Sequence, residues 1–174
     1  MLIPILGIIA ALIVALLVFA STRPDSFTVE RRITMQAPPE AAFALVNDFH
    51  EWARWSPWEK MDPAMQRTYG GSPSGIGTQY AWEGKKVGAG KMEIIQASPP
   101  GNITIKLDFL KPFEAHNTAV FTFSHRGNST EVSWAMHGTS PFMFKLMGIF
   151  MNTDQMIGKD FEAGLKNLKA LAEG

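Results

Sequence analysis

The pattern of apolar and polar positions changes period several times along the chain, and each change marks an element. Residues 1–20, MLIPILGIIAALIVALLVFA, are apolar without interruption. As a helix rising about 1.5 Å per residue they extend about 30 Å, the thickness of a bilayer's hydrocarbon core. Pro4 lies near the start, where a helix tolerates proline. Residues 21–26, STRPDS, form a polar linker. From Phe27 to Gln36 the period falls to two. Phe27, Val29, Arg31, Ile33 and Met35 share one side, and Thr28, Glu30, Arg32 and Thr34 the other, as in a strand. Ala37-Pro38-Pro39-Glu40 then opens a helix, with proline in its first turn and Glu40 at the positive end of its dipole. That helix runs through Phe43 and Val46 and stops near Asn47-Asp48. Trp52 and Trp55, three apart, predict a second short helix ended by Ser56-Pro57, and residues 60–63 read as loop.

Strand signals dominate from there. They fall at Gln66–Tyr69, at Thr78–Glu83 with Tyr80 and Trp82 on one side, at Lys91–Ala97, at Ile103–Phe109, around Ala119, Phe121 and Phe123, and around Val132, Trp134 and Met136. Gly, Pro and Asn clusters separate them: residues 70–77, 84–90, 99–102, 111–112 and 126–128. These spacings predict an antiparallel meander with one apolar and one wetter face. After Pro141 the period becomes about 3.6: Met156 or Ile157, Phe161, Leu165 and Leu168 form a helical stripe, with Glu162 and Lys166 placed to pair at i,i+4. Residues 141–151, PFMFKLMGIFM, are apolar nearly all round and read either as the start of the long helix or a loop folded on the core, or as a gate or membrane-touching flap. The expected fold class is α+β: a curved antiparallel sheet wrapped around one long C-terminal helix, with a cavity where the sheet bends away from the helix, plus an N-terminal membrane helix.

Composition narrows the function. Beyond residue 20 about 150 residues remain, the size of one domain with one core. Lys+Arg and Asp+Glu balance at 16 each, so no basic surface invites nucleic acid. The absence of cysteine excludes disulfides, thiolate catalysis and cysteine metal sites. His50, His116, His125 and His137 carry no metal-ligand spacing, so neither metal nor cofactor is expected. The glycines of residues 75–77 and 84–90 lack a phosphate-loop pattern and read as hairpin turns. Arg23, Arg31 and Arg32 follow the apolar segment, which favours a single-pass membrane protein with its domain in the cytoplasm. Val18-Phe19-Ala20 before Ser21 raises the alternative of a cleaved signal peptide and a periplasmic or secreted domain. The segment has no basic side chain in front and is apolar throughout, which favours an uncleaved anchor.

Three stretches carry a family resemblance: ITMQAPPEAAFALVNDFHEWARWSPWE (residues 33–59), STEVSWAMHG (129–138) and GKDFEAGLKNLKALAE (158–173). With them the chain resembles the START-like (SRPBCC) superfamily, in particular proteins labelled polyketide cyclase/dehydrase-like, over residues 27–172. The resemblance implies the helix-grip fold and a ligand such as a lipid, hormone, polyketide or quinone. The expectation is therefore a membrane-anchored binding module for an apolar or amphipathic small molecule (a lipid, quinone or polyketide-like compound). The ligand-binding residues expected to face the cavity are Tyr80, Trp82, Met92, Phe109, Phe121, Trp134, Met136 and Phe161. One alternative is a cyclase/dehydrase-like enzyme on an aromatic polyketide-type substrate. It needs an inward proton-transfer group, for which Tyr80, Glu114 and His116 are the candidates. No catalytic set is assigned. Another alternative is a membrane-bound interaction protein with a filled cavity and an exposed Trp52–Trp58 surface. Asp48, Trp52, Trp55 and Trp58 read as a rim or plug, with Trp58, after the proline, expected to be exposed.

Overall fold

The computed structural model describes residues 2–174, with side chains from Pro4 onward; Met1, the first residue of the expected anchor, lies outside the described residues. Helix α1 (Leu2–Ser21) keeps most of its side chains exposed and packs beside a second apolar helix, α5 (Phe142–Phe150). Strand β1 (Ser26–Met35) follows, then α2 (Pro39–Asn47), α3 (Trp52–Trp55) and α4 (Pro57–Met61). The expected loop at residues 60–63 thus begins late, because Pro57 starts a helix of its own. Proline at a first helical position has its φ already set and needs no N–H there. Six more strands come next: β2 (Gln66–Gly71), β3 (Thr78–Gly84), β4 (Gly88–Ser98), β5 (Asn102–Lys111), β6 (Ala115–Arg126) and β7 (Ser129–Thr139). Helix α6 (Thr153–Glu173) ends the chain.

The seven strands form one antiparallel sheet in the order β1-β7-β6-β5-β4-β3-β2, so the first strand pairs with the last. Period-two alternation gives the sheet one apolar face, and α6 lies against it with Phe161, Leu165 and Leu168 buried. Ile157 is half-buried on this stripe, whereas Met156 is exposed, which decides between the two. Each fully buried side chain of this size contributes roughly 1.5–3 kcal/mol.

Two close approaches seat α6. Trp134 stacks on Phe161 with ring centroids 4.0 Å apart and planes 5° from parallel, and its ring lies where a Cβ on Gly164 would come within 2.9 Å. Arg31 shares the inward side of β1, yet its guanidinium passes over Gly158 to reach α6. There Nε donates to Glu162 Oε1 (2.9 Å) and Nη2 to Asp154 Oδ2 (3.0 Å). Glu162 is therefore spent on Arg31 and not on Lys166, the partner expected from helical spacing. Arg32 pairs likewise with Glu30 (2.8 Å). Of the three arginines that argued for a cytoplasmic domain, two are held in ion pairs within the folded domain, and Arg23 alone sits outside it, over the Phe19 ring.

Candidate functional site

The sheet curves away from α6 and leaves a cavity of ≈ 500 Å³, within the usual range for small-molecule sites. Register defines its floor. One inward row crosses six strands as Tyr80, Met92, Leu107, Asn117, Gly138 and Phe27. The next row toward the mouth holds Trp82, Gly90, Phe109 and Ala115, and the next row inward holds Ile105, Ala119 and Met136. Trp58 and Phe161 form the opposite wall, from α4 and α6. Trp82 can lie flat across the floor because Gly90 has no Cβ, which would come within 2.4 Å of the ring; its Nε1 donates to the Val87 carbonyl (3.3 Å). The mouth is framed by Val87, by Pro112 and Phe113 of the β5–β6 turn, and by Phe144 of α5, whose ring meets Phe113 edge-on at 6.5 Å.

A few polar groups interrupt this apolar lining. Glu59 of α4 is buried in the wall, where Oε1 accepts from Tyr80 Oη (2.5 Å) and Oε2 from Arg67 Nε (2.6 Å). Burial, and then the Glu59 carboxylate, push the Tyr80 hydroxyl far above its ordinary pKa, so it is held as a neutral donor. Asp160 of α6 also lines the cavity; burial raises its carboxyl, partly offset by a hydrogen bond from Trp58. Asn117 lies over Gly138, its Nδ2 reaching only the Met136 sulfur at 3.8 Å and its buried Oδ1 finding no partner.

Seven of the eight residues expected to face the cavity line it: Tyr80, Trp82, Met92, Phe109, Trp134, Met136 and Phe161. Phe121 does not. Its ring is fully buried behind the wall, stacked on Trp134 at 4.8 Å and edge-on to Trp52 and Trp55, so it fills core. Of the three proton-transfer candidates only Tyr80 points inward. The Glu114 side chain is 73% exposed, and His116 lies on the outer face against Asp108 (2.7 Å). His137 is also on the outer face, bonded to Thr28 (3.0 Å), and His50 stacks on Tyr69 beside Asp48. Trp58 is not exposed as expected; it packs edge-on between Trp134 (5.6 Å) and Phe161 (6.2 Å) and faces the cavity. Trp52 and Trp55 are buried, and their indoles donate to the carbonyls of Val46 and Leu45, tying α3 to α2; Trp52 also lines the cavity, whereas Trp55 does not. Of the tryptophans at residues 52–58, Trp52 and Trp55 are buried and Trp58 is half-buried.

Glu59, Asn117 and Asp160 escaped the sequence reading. Extending the β6 alternation back two residues from Ala119 reaches Asn117. Asp160 precedes Phe161 on the α6 stripe. Glu59 had no such signal, since its helix was not foreseen.

In comparisons with known proteins, the family model described as "Polyketide cyclase / dehydrase and lipid transport" matches residues 26–173. No curated protein matches the chain in sequence. Among solved structures, protein CV1439 from Chromobacterium violaceum is similar with a TM-score of 0.62 and 16% identity, over 87% of this chain and 99% of that one. The di-domain ARO/CYC BexL from the BE-7585A biosynthetic pathway is similar with a TM-score of 0.62 and 15% identity, over 90% of this chain and 53% of that one. The Aha1 dimer from Colwellia psychrerythraea has a TM-score of 0.56 and 14% identity, over 84% of this chain and 96% of that one. At these identities the structural likeness is one of fold.

Proposed function

The chain belongs to the polyketide cyclase/dehydrase and lipid-transport family, and from that premise we propose that it is a binding module that takes up an apolar or amphipathic small molecule in its cavity, held at a membrane by α1. A lipid, a quinone or a polyketide-like compound has the required chemistry. The observation that carries this reading is the ≈ 500 Å³ cavity lined mainly by aromatic and Met side chains. Aromatic rings bury large apolar areas, and Met adapts to ligand shape. The few polar groups, Asn117 and the Tyr80–Glu59 pair, would orient a hydroxyl, carbonyl or amide on such a ligand. Anchoring by α1 would keep the cavity at high local concentration beside a lipid source.

A brominated fatty acid titrated into the full chain in nanodiscs tests the proposal, because bromine quenches the cavity tryptophans Trp52, Trp58, Trp82 and Trp134. Saturable quenching is expected in the wild type and its loss in Ala119→Phe, which places a ring inside the cavity. Equal quenching in both proteins would overturn the proposal.

The Tyr80–Glu59 pair is the one observation favouring an enzyme on an aromatic polyketide-type substrate, since it sets a carboxylate and a hydroxyl against the ligand space. It stands second because Tyr80's proton is already committed to Glu59. A bound ligand chemically altered by the wild type and unaltered by Glu59→Gln would raise it to first.

A further inference from the structure

The strand directions fix which end of the sheet is which. Helix α1 joins the sheet at Ser26, which pairs with Thr139, the last residue of β7. The antiparallel order puts the β3–β4 turn (residues 85–87), the β5–β6 turn (112–114) and the start of α5 at this same end. Those segments frame the cavity mouth. The mouth therefore opens on the end from which α1 departs, and only residues 22–25 intervene, at most about 14 Å of extended chain.

Exposed apolar side chains gather at this end. Phe113 is 62% exposed and Phe150 74%, and Leu110, Met143 and Met147 are also open. Helix α5 has no buried residue at all, although it is apolar along its length. Its one charged side chain, Lys145, is ion-paired with Asp25 of the linker and is itself almost buried, so it leaves the helix surface uncharged. A nine-residue apolar helix without a core to cover, packed beside a helix long enough to cross a bilayer, is continuous with that helix's apolar surface.

We infer that this end of the domain docks onto the bilayer that α1 enters, with α5 and the β5–β6 turn set into the boundary between headgroups and acyl chains, so that the cavity opens directly onto lipid. Residues 22–25 act as a short tether that keeps this end of the domain within about 14 Å of the end of α1. Phe113 and Phe144, edge-on across the mouth, are then in contact with lipid on one side and the cavity on the other. The inference rests on the proposed anchoring of α1 in a membrane and goes beyond ligand binding: the docked face exists whether or not the cavity is filled.

The chain has no cysteine, so single-cysteine variants of the full protein each report one site. Met143→Cys and Phe150→Cys on α5, Phe113→Cys at the turn, Asn128→Cys at the opposite end of the sheet and Ile9→Cys within α1 would each carry an environment-sensitive fluorophore. The proteins are reconstituted in phosphatidylcholine/phosphatidylglycerol vesicles containing a doxyl-labelled lipid. The expected result is quenching at residues 113, 143 and 150 that approaches the loss at residue 9, with residue 128 unquenched. Quenching at residue 9 alone would overturn the docked face while leaving α1 inserted. No quenching at residue 9 would overturn the inference at its base. Shielding of residues 143 and 150 that grows with protein-to-lipid ratio and ignores the doxyl lipid would assign the face to a second copy of the chain and also overturn it. None of these readouts requires a cavity ligand, so failure here is distinct from failure of the binding proposal.

Discussion

Glu59 is tolerated in an apolar wall because each of its oxygens has a donor, Tyr80 Oη on one and Arg67 Nε on the other. The arrangement has a consequence at high pH. The chain has two tyrosines, Tyr69 and Tyr80, and burial raises both, Tyr80 the more. An acid whose folded pKa is raised adds stability below its unfolded pKa and loses it as pH climbs past that value toward the folded one. Unfolded tyrosine ionises near pH 10. The folded protein is therefore expected to show less tyrosinate absorbance than the unfolded chain at about pH 10, and its unfolding free energy should fall steadily above that point. Spectrophotometric titration alongside urea unfolding checks both. Normal titration of both tyrosines in the folded state would contradict the burial of this pair. At this scale the sequence was readable where alternation ran cleanly, as for Trp134 and Met136. It misled at Phe121, which has the same inward phase but lies where Trp52 and Trp55 already fill the space. Strand period tells which face a side chain takes; whether that spot on the face is solid or hollow depends on what another element places against it.

The elements themselves were more legible than their partners. Period-two runs and Gly/Pro breaks located the strands, and the 3.6 stripe located α6. What the pattern could not carry was the seat of α6 on the sheet, which depends on pairs distant in sequence: Arg31 over Gly158 and Trp134 over Gly164. A helix glycine reads locally as a cost of roughly 1 kcal/mol against alanine. Here Gly164 is what lets Trp134 lie flat between α6 and the cavity. Gly164→Ala would gain that helix propensity but would push a buried ring, and overpacking of this kind costs about 1–3 kcal/mol. The expected net result is a loss of up to about 2 kcal/mol in urea unfolding, together with weaker quenching of Trp134 by the brominated fatty acid. A variant more stable than wild type would show that the contact yields freely. Pro57 likewise acts twice: it ends α3, as the sequence pattern implies, and it begins the helix that carries Trp58 and Glu59 into the cavity wall.

For the whole molecule, the sheet turns its apolar face to α6, and the hollow between them opens toward the end where α1 leaves. An apolar helix, an uncovered α5 and a cavity mouth then share one side of the domain, and the opposite end carries the polar β6–β7 turn. This arrangement makes sense for a protein whose ligand is drawn from lipid. Such a cavity is expected to be an occupied binding site in the working protein. Native mass spectrometry of the full chain, purified from its own host in a mild detergent and released from the micelle in the gas phase, tests it most directly. The expected result is a reproducible added mass at one ligand per chain, extractable as a lipid, quinone or polyketide-like compound and absent from Ala119→Phe. A bare chain mass in wild type, or the same added mass in both proteins, would contradict it.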